Sequence, residues 1–303
     1  MQNTAQSTSV DPVGLHRAQR RSGRVPPQAF FLISAVFHYL GPSLAVLLFA
    51  RIDVLGVTWL RIASAAAAFA LWRRPWRVLA RLDHGTRRTL LMFGVVLAAM
   101  NTLFYLAIDR LPLATVGAIE FLGPIALAAY GVRTRRNVMA LLLTIFGVVA
   151  LTEFRLAGAL LGFACAFGNC ALFVLYVVLG HRIAHPDNAA ANTATSIDCL
   201  GAAMLVAAVV VTPIGIEGAA PAFTDPALLA AGIGVGLCSS VIPYVCDQLA
   251  MARLPRASFA LMLALLPVFA LLIGAIVLHQ IPNARELFGI GLVVAGIAIH
   301  HDG

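Results

Sequence analysis

Ten stretches, each 16 to 25 residues long and almost free of charge, succeed one another between residues 30 and 300. At about 1.5 Å per helical residue, some 20 residues cross a hydrocarbon layer of roughly 30 Å, so a chain that repeats such runs throughout leaves no room for a water-soluble core. The windows are 30–50, 54–72, 89–108, 112–132, 137–152, 156–180, 193–212, 227–247, 257–278 and 284–300, the fifth and tenth being the shortest. Composition agrees: 61% of residues are hydrophobic and 11% charged, where soluble domains carry about a quarter charged residues. Continuous Ala/Leu/Val/Gly runs lack the period-two alternation of a barrel wall. Helices, which satisfy their own backbone in lipid, are therefore expected.

The chain contains 21 arginines and no lysine. With the N-terminus inside, sixteen arginines fall on the cytoplasmic side, among them Arg17, Arg73, Arg133, Arg182 and Arg253, and four fall outside: Arg51, Arg110, Arg155 and Arg285. The positive-inside bias thus predicts ten spans with both termini cytoplasmic, preceded by a polar tail over residues 1–28. A net charge of +8 and a pI near 9.9 would suit a nucleic-acid partner. These charges, however, sit in short loops beside span ends, where anionic headgroups meet them, so lipid is the expected partner and nucleic acid is not. The first span is long, contains His38 and Pro42 and opens a series of nine more, which separates it from a cleaved signal sequence. Cys165, Cys170, Cys199, Cys238 and Cys246 show no CxxC or His/Cys ligand spacing and read as buried inert thiols; no metal or cofactor is called for.

The chain repeats itself. Residues 106–131 align with 249–274 at an offset of 143, pairing Arg110-Leu111-Pro112 with Arg253-Leu254-Pro255, Pro124 with Pro267 and Gly131 with Gly274. Two copies of five spans are implied, a first over 29–152 and a second over 156–301. Because five is odd, the second copy enters the membrane from the opposite side, and such inverted repeats point to alternating access.

Polar groups inside spans are costly and face partners or water. Glu120 lies about eight residues into the fourth span and Arg61 at a comparable depth in the second, so an ion pair between them is geometrically allowed and Arg61 reads first as structural. Glu120 reads first as a substrate-ammonium or proton site. Asp247 ends the eighth span, and Asp198 lies in the seventh. Pro42, Pro124, Pro243 and Pro267 each remove the N–H that would bond the carbonyl four residues back, freeing those of His38, Glu120, Ser239 and Leu263. They nominate the first, fourth, eighth and ninth spans as cavity walls. His38, Tyr39, Asn101, Tyr105, Asn169, Tyr176, Ser240, Tyr244 and Gln248 supply the neighbouring polar groups.

The stretches MNTLFYLAIDRLPLATVGAIEFLGPIALA (100–128), IPYVCDQLAMARLPRASFALMLALLP (242–267) and LRIASA (60–65) resemble the threonine/homoserine exporter (RhtA-type) branch of the EamA family, in the drug/metabolite transporter superfamily. The resemblance implies an all-α, ten-helix exporter of the bacterial inner membrane, built as two inverted five-helix repeats. It implies a small amino acid or related metabolite as substrate and proton exchange as the driving force. Glu120, Arg61 and Asp247 match the family's fourth-helix glutamate, second-helix arginine and the acid ending its eighth helix. Leu278-His279-Gln280 stands where the family has Gly-Glu, and Asp198 where a small residue is expected.

The expected function is export of small amino acids by alternating access, with Glu120 engaging the ammonium or a proton and Asn101, Tyr244 and Asn169 bonding the substrate. Export of another drug or metabolite is the nearest alternative. A phosphate-bearing substrate would want cavity lysines or several arginines, which the spans lack. A membrane-embedded enzyme or lipid flippase is the alternative of another class, and an enzyme would need Ser239 or Ser240 brought to His38 as nucleophile and base. The sequence is also compatible with a homodimer.

Overall fold

The structure, a computed structural model, describes residues 26–77, 84–131, 134–151, 159–184, 193–251 and 266–299. Residues 1–25 of the N-terminal tail, Arg155, the Arg253-Leu254-Pro255 tripeptide and the start of the ninth window lie outside the described residues, as do the side chains of Pro124 and Gln248.

Every regular element among the described residues is a helix: α1 (Pro27–Leu48), α2 (Val54–Arg73), α3 (His84–Ile108), α4 (Leu113–Gly131), α5 (Arg135–Leu151), α6 (Ala159–Ala184), α7 (Thr193–Gly215), the short α8 (Ala220–Thr224), α9 (Pro226–Gly236), α10 (Ile242–Met251), α11 (Leu266–Leu278) and α12 (Ala284–Ile299). Five stretches are long and apolar enough to cross a membrane: Gln28–Leu48, Val54–Arg73, His84–Ile108, Ile197–Gly215 and Pro226–Asp247. Side chains such as Phe146, Leu272, Ile276 and Phe288 stand exposed on helix flanks, a surface that suits lipid and not water. Trp72 in the last turn of α2 and Trp76 just beyond it, also exposed, sit among Arg73, Arg74 and Arg77, the aromatic-plus-basic composition of a headgroup layer. The chain is a multi-pass membrane protein.

Local chemistry sets the helix ends. Asp53 caps α2 by accepting from Leu55 N at 2.8 Å, and Asp225 caps α9 by accepting from Ala227 N at 2.9 Å. At α12, Asn283 and Glu286 cap reciprocally, each side chain accepting from the other's backbone N–H at 2.9 and 2.8 Å. The α2 helix stops at Arg74, which adopts a left-handed φ of 51°.

Neighbouring helices run in opposite directions. At one end of the bundle Leu113 N donates to Gln280 Oε1 at 3.1 Å, Arg51 faces Asp225 at 4.0 Å and Gly162 lies against Leu111. At the other end Arg73 Nε donates to Asp198 Oδ1 at 2.6 Å, and Arg136 Nε to the Ile299 carbonyl at 2.6 Å. Across the bundle α1 packs on α10 and α11 while α6 packs on α3 and α4; α9 packs on α2 and α3 on α7; α2 meets α7, α4 meets α11, and α5 meets α12.

One expected span carries a break in its helix. The eighth window, read as a single span over 227–247, is α9 and α10 joined by a π-helical turn, Leu237–Val241, which Ile242 N closes by donating to Leu237 O. Pro243 has no N–H to give Ser239, so the backbone resolves the break by widening one turn. Such π turns concentrate at functional sites.

Candidate functional site

The π turn is held by two helices. Gly41 of α1 approaches so closely that a Cβ there would lie 2.7 Å from Ser239 Cα. From α2, Arg61 Nη2 donates to the Ser239 carbonyl at 3.2 Å and Nε to Ser240 Oγ at 3.1 Å. The carbonyl that Pro243 frees thus finds its donor in a side chain. Pro243's own carbonyl accepts from Ser34 Oγ at 3.2 Å.

Beside this turn lies a cavity of about 40 Å³. His38 and Pro42 of α1, Arg61 of α2, Asn101 of α3 and Tyr244 of α10 form part of its wall. Glu120 of α4 with Asn169 and Tyr176 of α6 complete the polar lining, and Met100, Phe104 and Phe173 make the apolar remainder. Glu120 and Arg61 each sit seven positions into a helix that starts at the same end of the bundle, about 11 Å deep at 1.5 Å per residue. Both are sequestered, at 6% and 5% exposure.

The acid is anchored by one amide: Asn169 Nδ2 donates to Glu120 Oε1 at 3.2 Å. Asn169 Oδ1 is buried without a hydrogen-bond partner among the described residues, as are the hydroxyls of Tyr39, Tyr105 and Ser239. Asn101 Nδ2 donates to the Leu97 carbonyl of its own helix at 2.7 Å. Phe93, Phe173 and Tyr176 stack in series, with Tyr176 centroids 4.9 Å from Phe93 and 6.0 Å from Phe173.

Several expectations need correction. The Arg61 to Glu120 ion pair is not made: the pairs within 4.0 Å among the described residues are Arg51–Asp225, Arg73–Asp198 and Arg110–Asp109. Equal depth fixed their height but not their direction, and the guanidinium turns to the π turn while lying over the Tyr105 ring, Cζ 5.0 Å from its centroid. Tyr39 and Tyr105 are fully buried and pack behind the wall. Ser240 serves as an anchor for Arg61 and, like Asp247, is not part of the cavity lining. Pro267 is buried in α11 outside the lining. The nucleophile-and-base alternative finds no hydrogen-bonded pair: Ser240 Oγ accepts from Arg61, and Ser239 Oγ has no hydrogen-bond partner among the described residues, His38 included. Met100, Phe104 and Phe173 were missed; their signal is position, Met100 next to Asn101 and the two phenylalanines one turn from a polar neighbour in the same span.

A bundle of apolar helices around a cavity lined by a buried acid and a buried arginine fits a membrane transporter. The chain belongs to the EamA-like transporter family: that family's pattern matches residues 160–300, and the similarity to its curated relatives extends over most of the chain. It is 30% identical over 272 residues to the threonine/homoserine exporter RhtA of Escherichia coli (strain K12), covering 89% of each chain. It is 30% identical over 258 residues to that of Salmonella typhimurium (strain SL1344), covering 84% of each. A solved crystal structure shares the fold at a TM-score of 0.54 and 18% identity, covering 90% of this chain and 96% of that one. A transporter, not an enzyme, is what these relationships define.

Proposed function

We propose that the protein exports small amino acids of the threonine or homoserine kind across the bacterial inner membrane, by alternating access coupled to proton exchange at Glu120. The observation that carries this reading is the arrangement of acceptors around one buried acid. Asn169 holds Oε1 of Glu120, which leaves Oε2 and the unpartnered Asn169 Oδ1 as neighbouring acceptors. An ammonium group has three donors and no acceptor, and matches such a pair. A proton on the same carboxylate excludes the ammonium, so binding one releases the other and flow of protons inward drives substrate outward. The cavity, at about 40 Å³, is far below the roughly 300 Å³ of a filled ligand pocket, so the reading requires the helices around it to part as substrate enters.

Helix pairing supports two inverted repeats, 29–152 and 156–301, within ten spans. The contacts of α1 with α10 and α11 correspond to those of α6 with α3 and α4, and the α2 to α9 contact corresponds to that of α7 with α3. Helix pairs α2 with α7, α4 with α11 and α5 with α12 correspond to themselves, as elements beside a pseudo-two-fold axis must. Sixteen arginines on one face favour cytoplasmic termini.

Counterflow of labelled L-threonine and L-homoserine in proteoliposomes tests the reading. Wild-type protein is expected to exchange them, faster under an imposed pH gradient, and Glu120→Gln to abolish exchange while inserting normally. Wild-type exchange by Glu120→Gln would remove the acid from the mechanism.

A further inference from the structure

The cavity holds two opposite charges that do not neutralise each other. Arg61 and Glu120 both line it, both are nearly inaccessible to solvent, and no ion pair within 4.0 Å joins them among the described residues. An arginine kept only for structure in so apolar a setting would be expected to close on the available carboxylate, since leaving either charge buried and unpaired is costly. Here the fold holds them apart: Nε and Nη2 of Arg61 are fixed on Ser240 Oγ and the Ser239 carbonyl, the Tyr105 ring supports Cζ at 5.0 Å, and Glu120 is drawn to Asn169. The bonds that hold the guanidinium use Nε and Nη2, and Arg61 lines the cavity, which leaves Nη1 as the donor for a ligand.

We propose that Arg61 is the carboxylate subsite of the transporter, and that the cavity recognises a zwitterion end to end, ammonium at Glu120 and α-carboxylate at Arg61. This deepens the amino-acid reading above and rests on it. Two consequences follow. Selectivity is for free amino acids over amines, amides and esters, because an arginine edge forms charge-assisted bonds with a carboxylate that no neutral group replaces. Substrate also ties α2 to α4, since it bridges two helices whose charged groups do not touch without it. A carboxylate drawn to Nη1 leaves the bonds to the π turn in place, so this turn pre-orients the arginine rather than competing with substrate.

Calorimetric binding to the purified full-length protein in nanodiscs tests this with three probes that share ammonium and side chain: L-threonine, L-threonine amide and L-threoninol. Wild-type protein is expected to bind L-threonine at least about tenfold more tightly than the other two. Arg61→Gln should weaken L-threonine by a larger factor than the amide and the alcohol, so that the preference for the free acid is lost. Arg61→Lys, which keeps the charge without the planar fork, should retain part of the preference. Equal binding of all three by wild type, which needs no variant to fold, overturns the subsite. So does an Arg61→Gln protein that weakens all three in proportion, the mark of a purely structural arginine. Wild-type protein that binds none of the three overturns the amino-acid reading itself, and the subsite with it.

Discussion

Asn169 Nδ2 and Glu120 Oε1 lie 3.2 Å apart, a bond between α6 and α4 that joins the two halves of the chain at the cavity wall. Asn169→Leu removes the donor and leaves the acid without its protein anchor. A bond to a carboxylate is worth about 1.5–3 kcal/mol, so apparent substrate affinity in proteoliposomes should fall on the order of tenfold to hundredfold, and Asn169→Asp should not restore it.

Gly41 lies against the π turn, where a Cβ would stand 2.7 Å from Ser239 Cα and N. Both contacts are backbone, so the neighbour cannot swing aside. Gly41→Ala should destabilise the protein by about 1–3 kcal/mol, read as a lower thermal midpoint in detergent, and should impair transport by displacing the Ser239 carbonyl from Arg61.

Asp198 pairs with Arg73 at 2.6 Å near the end of α2, with side chains 21% and 28% exposed, remote from the cavity. Partly exposed pairs contribute little. Asp198→Asn should cost about 1 kcal/mol or less and leave the substrate preference unchanged, as a panel of labelled amino acids would show.

Gln280 Oε1 accepts from Leu113 N, the first residue of α4, at 3.1 Å. Glutamate offers the same acceptor at the positive end of a helix. Gln280→Glu should therefore preserve stability and transport, whereas Gln280→Leu orphans a part-buried N–H and should lower the thermal midpoint by the equivalent of about 1–3 kcal/mol.

Apolar runs marked the helices because lipid demands continuous hydrophobicity, and Glu120, Asn169, Asn101 and Tyr244 stood out as polar interruptions of such runs. The same residues then line one cavity. What stayed hidden was direction around each helix: spacing along α2 and α4 sets Arg61 and Glu120 at one height, yet says nothing about which neighbour each faces. Pro243 signalled a freed carbonyl at Ser239, but not that a widened turn would offer it to Arg61. Phe104 and Phe173 line the cavity with the same chemistry that other phenylalanines turn to lipid, so no composition rule separates them.

Side-resolved labelling of the cavity tests the account most directly. In a variant with Cys165, Cys170, Cys199, Cys238 and Cys246 replaced by serine or alanine, Phe104→Cys places a thiol on the wall. A membrane-impermeant maleimide applied to right-side-out and to inverted vesicles should modify it from both faces, and L-threonine should slow both reactions. Modification from one face only, or rates indifferent to L-threonine, would contradict alternating access through the Glu120 cavity.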